Sequence, residues 1–128
     1  MRPDIPGFIL DASALRVAPA NLYLRTLIGL YAQRDSPIVV PATALAVAAG
    51  AGWIDPTELD SPAVTVTSLT QAIAPAIALI ISGATAPTVV ETAHTAYEAI
   101  ATKYPVVTAD RAVYDTLAVR IDVEELPD

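Results

Sequence analysis

Gly7-Phe8-Ile9-Leu10-Asp11-Ala12-Ser13 decides the reading of this chain. The apolar run is too short for a helix and is bounded by Pro6 before it and by Asp11 and Ser13 after it. It therefore predicts a short buried strand ending at a carboxylate. Strands of this kind belong to parallel sheets covered by helices on both faces. Ile38-Val39-Val40 reads the same way, and so does Pro105-Val106-Val107-Thr108, which runs into Ala109-Asp110. Val64-Thr65-Val66-Thr67 alternates with period two and is β-branched, again a strand. Val119 to Val123 is predicted as the last one.

Helical signals fill the gaps. Pro19 and Asn21 open a segment in which Leu24, Leu27, Ile28 and Tyr31 fall at i, i+3, i+4 and i+7. Asp35-Ser36-Pro37 stops it. The alanine-rich run from Pro41 to Ala49 predicts a helix ended by Gly50 and Gly52. Asp55-Pro56-Thr57-Glu58 has an N-cap, a proline at the first helical position and a glutamate at N3, with room for only a short helix before Ser61-Pro62. Thr70 to Ser82 is predicted helical, with Pro75 forcing an early kink or a late start. The strongest helix runs from about Thr88 to Thr102, its buried face marked by Val89, Ala93, Ala96, Tyr97, Ile100 and Tyr104. Arg111 to Leu117 is a short one. Strand and helix in alternation predict one α/β domain over residues 1–128, a three-layer α/β/α stack around a mostly parallel central sheet. Ligands of such sheets bind beyond the carboxyl ends of the strands.

Composition excludes several classes. The hydrophobic fraction is 54%, but the longest apolar stretches, such as Ala72 to Ile81, are broken by Pro75. They fall short of the roughly 18 apolar residues that a membrane span needs. The start, with Arg2, Pro3, Asp4 and Pro6, does not resemble a signal peptide. There is no cysteine, hence no disulfide, thiolate nucleophile or zinc–thiolate site. The expectation is a cytoplasmic protein with no membrane partner. Fourteen acids against seven bases give a net charge of −7, and Arg16, Arg25, Arg34, Lys103, Arg111 and Arg120 are scattered. No basic patch exists to attract a phosphate backbone. Such acidity suits a partner with basic side chains, although solubility alone explains it.

Two strands end alike, at Asp11 and at Asp110. If those strands are neighbours in a parallel sheet, the two carboxylates approach each other at its carboxyl edge. Carboxylates sharing a cleft repel unless a cation neutralises them, and hard oxygen ligands suit Mg²⁺ or Mn²⁺ with an activated water. The other reading is that each caps a following helix, and residue type alone favours capping. Serine and cysteine hydrolases are excluded by the missing cysteine and the missing Gly-x-Ser-x-Gly. A dinucleotide-binding fold lacks its glycine-rich loop here.

The stretch Phe8-Ile9-Leu10-Asp11-Ala12-Ser13-Ala14-Leu15 resembles the opening of PIN domains, the VapC-type toxin nucleases. In that family a strand ends in Asp followed by a small residue and Ser. Val39-Val40-Pro41-Ala42-Thr43-Ala44-Leu45-Ala46 resembles their second strand and next helix. Ala93-His94-Thr95-Ala96-Tyr97-Glu98-Ala99, continuing to Pro105-Val106-Val107-Thr108-Ala109-Asp110, resembles their last catalytic region, and Val119 to Val123 their final strand. The resemblance implies a site of about four acids holding Mg²⁺ or Mn²⁺. Asp11 matches the first, with Ser13 as a supporting hydroxyl. The second falls on Val47, which cannot bind metal. The third falls on Thr92, with Glu91 one position away as a substitute. Asp110 matches the fourth, beside Thr108, and Asp115 is a possible supplement. The implied metal ligands are Asp11 and Asp110, and the implied catalytic set is Asp11, Glu91 and Asp110.

The residues' own chemistry offers blander roles. Thr88-Val89-Val90-Glu91 is a capping-box pattern, and one helical position turns a side chain by about 100°, so Glu91 need not face where residue 92 does. Asp115 reads as a solvated helix residue, and His94, the single histidine, as packed and hydrogen-bonded. Trp53 and the tyrosines read as core or interface. Losing two charged ligands leaves a mostly solvent-coordinated ion, so two matched aspartates are too few to assign a nuclease. The expected function is a degenerate PIN-like domain with weak or no ribonuclease activity, binding a second copy of itself as a homodimer or an antitoxin-like protein. The alternative is an active Mg²⁺- or Mn²⁺-dependent toxin-type endoribonuclease, with RNA as its substrate.

Overall fold

The computed structural model describes residues 6–127. Five strands form one sheet: β1 Phe8–Leu10, β2 Ile38–Pro41, β3 Val64–Thr67, β4 Val106–Thr108 and β5 Val123–Glu125. Their order is β3-β2-β1-β4-β5, with every neighbouring pair parallel. Five helices connect them: α1 Ala12–Val17, α2 Leu22–Gln33, α3 Ala42–Gly50, α4 Ala74–Gly83 and α5 Val90–Thr102. Short 3₁₀ turns lie at Pro56–Leu59 and Arg111–Tyr114. The fold is α/β, a parallel sheet between layers of helix.

The pleat explains the layers. Phe8 and Leu10 share one face of β1 with Ile38 and Val40 of β2, and there they pack with Leu24, Leu27 and Tyr31 of α2. Phe8 meets the Tyr31 ring edge-on, centroids 4.8 Å apart. Ile9, Val39 and Val106 point the other way, towards Ala99 of α5 and Tyr114. Helix α5 packs on β1, β2 and β4, with α3 and α4 against its flanks. No described helix is long and apolar enough to cross a membrane.

Four expectations need correction. The chain turns into α1 immediately after Asp11, ahead of the segment read as opening at Pro19, and the Asp11 side chain caps it, the role that residue type favoured. The last strand is Val123–Glu125, not Val119 to Val123. Val119 and Ile121 instead pack as coil against Ile77 and Ile80 of α4 and Ala93 of α5, and pairing with β4 starts at Val106↔Val123. The helix after Asp110 is only one 3₁₀ turn. The buried face of α5 is wider than the apolar stripe: Ala93 and Ala96 are buried as expected and Tyr97 and Tyr104 partly so, whereas Val89 and Ile100 are exposed and Thr92, His94, Thr95 and Glu98 are buried. A helix with neighbours on three sides buries a wide arc, and polar positions fall inside it. Helix α4 takes the late start, with Pro75 in its first turn.

Candidate functional site

Because β1 and β4 are neighbours, with Leu10 beside Val107, the residues that follow them meet at the carboxyl edge of the sheet. Asp11 lies there almost fully buried and accepts four hydrogen bonds. Its Oδ1 takes the Ser13 hydroxyl at 2.7 Å and the Ala14 N–H at 2.9 Å. Its Oδ2 takes the hydroxyls of Thr108 and Tyr114, each at 2.6 Å. Two carboxylate oxygens offer about four lone-pair sites, so this one is filled. The hydroxyls are tied in turn: Ser13 Oγ accepts from Ala109 N at 2.9 Å and Thr108 Oγ1 from Asp110 N at 3.0 Å. The network stitches the start of α1 to the loop after β4.

Glu91 reaches the same place from α5. Its Oε1 accepts from the backbone N–H of Ala12 at 3.0 Å, and Thr95 Oγ1 approaches it at 3.4 Å. The expected capping box is not made: Val89 is the N-cap of α5, and the Thr88 hydroxyl turns back to Ala86 O. Glu91 instead satisfies the first N–H of α1, while Asp11 satisfies the third. Two carboxylates thus complement the positive end of one short helix. Burial raises the Glu91 pKa above the ordinary carboxylate range, the Ala12 N–H pulls it back, and the nearby Asp11 charge raises it again. Burial, and then the Asp11 charge, push the Tyr114 hydroxyl far up, so it stays a proton donor.

The other implied residues are placed differently. Asp110 is exposed and makes no cap bond, and Asp115 is exposed at the end of its 3₁₀ turn. Thr92 is buried, its hydroxyl 3.5 Å from Glu91 Oε2. Val47 is exposed on α3. Among the described residues no group of three or more His, Asp and Glu is placed to hold a metal ion. The donor set does not fit a divalent cation: an ion at Asp11 would have to displace Thr108 or Tyr114 from Oδ2.

Sequence reasoning missed Tyr114 as a polar partner and missed Thr95. The signal for Tyr114 was available: a buried tyrosine hydroxyl needs a partner, and this residue closely follows the strand that adjoins Asp11. His94 is wholly buried, Nδ1 2.8 Å from Thr43 Oγ1, with Nε2 3.5 Å from Glu98 Oε1 and making no hydrogen bond. Burial lowers the pKa of His94 and raises that of Glu98, and both are structural members of the α5 core. No protein-family model and no curated protein matches the chain.

Proposed function

We propose that this chain is a degenerate PIN-like domain with weak or no ribonuclease activity, acting through binding to itself or to a partner protein. The observation that supports this reading is the saturation of Asp11. An acid kept for a catalytic ion must leave lone pairs for the ion and its waters. Asp11 gives them all to Ser13, Ala14, Thr108 and Tyr114. The resemblance at both strand ends supplies the PIN-like part, and the occupants Val47 and Thr92 at two acidic positions agree with lost chemistry. One observation favours the alternative, a Mg²⁺- or Mn²⁺-dependent ribonuclease: Glu91 does come close to Asp11, as a substitute acid would.

Thermal unfolding with and without Mg²⁺ or Mn²⁺, alongside an RNA cleavage assay, separates the two. An ion present at 100 times its dissociation constant stabilises by about 2.7 kcal/mol. The expected result is no shift and no cleavage. A metal-dependent rise lost in Asp11→Asn, with cleavage lost beside it, refutes the degenerate reading.

A further inference from the structure

The two edges of the sheet are built differently. β5 carries Glu124 and Glu125, and Pro127 follows. Val106 N bonds to Asp122 O, which by alternation along the ladder turns the peptide groups of Val123 outward. There the Arg111 guanidinium donates to Val123 O at 3.2 Å. Charge on an edge strand and a donor over its free carbonyl both discourage a further strand.

β3 has neither device. Ile38 N bonds to Ala63 O, so Thr65 and Thr67 face β2 while Val64 and Val66 present their peptide groups outward. The Val64 N–H is taken by Ser61 O at 3.0 Å. The Val64 carbonyl and both peptide groups of Val66 have no partner among the described residues. The Val66 side chain is 44% exposed. The sequence around it is as bare of charge: no Asp, Glu, Lys, Arg or His occurs from Pro37 to Ile54 or from Ser61 to Val90, and the carboxyls that come near are Glu98, buried beside Thr67, and Glu58, which lines a pocket with Val64. Those stretches make β2, β3 and α3, which pack together, as well as α4. All the charge of a −7 chain lies elsewhere.

We propose that β3 pairs antiparallel with β3 of a second copy across a two-fold axis, joining two sheets into one. Val66 sits on the axis. Its N–H in each copy donates to the Val66 carbonyl of the other, the closely bonded antiparallel pair. Two acidic copies repel wherever their carboxylates meet, and β3 itself brings none to an axis at Val66. A basic peptide finds no carboxylate on β3 itself, and Glu98 beside Thr67 is buried. An isologous contact needs only this one patch, used twice. The inference names the partner in the binding role proposed above and rests on that reading for its purpose. The two fail separately: a metal shift sinks the first and leaves the dimer, and a monomer sinks the second and leaves Asp11 saturated.

Sedimentation equilibrium of the full chain tests it. Val66→Pro removes the outward N–H and leaves the inner ladder of Thr65 and Thr67 intact, a position where an edge strand tolerates proline. Val66→Lys keeps the N–H and sets two like charges face to face on the axis. The wild type should be a dimer, and either variant should weaken dimerisation by roughly 100-fold with an unchanged circular dichroism spectrum. Leu79→Glu, on the exposed side of α4, should remain dimeric. A wild type still monomeric at about 200 µM overturns the proposal. So does a dimer that survives both Val66 variants, one lost only in Leu79→Glu, or a monomer that binds an extended peptide along β3.

Discussion

Replacing Asp11 by asparagine asks whether its carboxylate is held for structure or for chemistry, because the two give opposite signs. The amide oxygen of the substituted side chain must face Ala14, whose N–H cannot reverse. That leaves the amide NH₂ against the Thr108 and Tyr114 hydroxyls, both of which now donate at 2.6 Å. Hydrogen bonds to a charged group are worth about 1.5–3 kcal/mol each. Tyr114 can rotate its proton away and accept from the amide. Thr108 Oγ1 already accepts from Asp110 N and recovers less. Against the loss stand the removed desolvation of a buried charge and the relief of its repulsion with Glu91. The net expectation is a destabilisation of about 2–4 kcal/mol, with the urea m-value unchanged. At roughly 3–5 °C per kcal/mol for a chain of this size, the midpoint falls by about 10 °C. Tyr114→Phe removes one bond to the same oxygen, so Asp11→Asn and Tyr114→Phe combined should cost less than their sum by about 1 kcal/mol or more. Thermal and urea unfolding without metal read both. An Asp11→Asn protein as stable as the wild type, or more stable, refutes the reasoning: an acid held against repulsion for an ion is expected to strain the fold.

Further outcomes follow from single contacts. The raised pKa of Glu91 means the folded state keeps its proton to higher pH than the unfolded chain. That stabilisation is full below the ordinary carboxylate range and is lost as pH rises through the raised value. Glu91→Gln keeps an acceptor for Ala12 N–H, so its stability relative to wild type should grow from about pH 4 towards neutrality in a series of unfolding midpoints. A constant difference across that series would deny the burial of its charge. Gly7→Ala would bring a Cβ to 2.8 Å from Pro37 O and equally close to the Tyr104 ring. The backbone clash should cost about 1–3 kcal/mol in urea unfolding, and Tyr104→Ala should return only part of it, since the carbonyl remains.

What the sequence made legible is what short-range physics controls. The runs at Phe8, Ile38, Val64 and Val106 became strands because they were too apolar or too β-branched for anything else between their breakers. The stripe from Leu24 to Tyr31 became α2. The cap at Asp55 formed as read, with Glu58 returning to its backbone. The errors lie where tertiary neighbours decide. Val119 and Ile121 alternate like a strand, yet the apolar surface of α4 claims them first. Val89 and Ile100 look like a buried stripe, yet α5 is surrounded on other sides.

The acidic site shows the same division more sharply. Sequence placed Asp11 at a strand end and offered two roles, ligand or cap, and the Ala14 N–H bond is the cap. It could not tell that Glu91 would abandon its own helix for α1, because that bond crosses most of the chain. Tyr114 over Oδ2 was legible only as a tyrosine hydroxyl in need of a partner close to Asp11. Those two contacts change what the carboxylate is for. A buried aspartate with spare lone pairs beside a second acid invites a cation, whereas the same aspartate with four donors and a helix terminus has its charge already compensated. With those donors in place, Val47 and Thr92 stand where the proposed PIN-like reading would need carboxylates for an ion. On that reading the hydroxyls of Thr108 and Tyr114 on Oδ2 are the obstacle to an ion, and acids introduced at positions 47 and 92 without removing Tyr114 should not create metal binding.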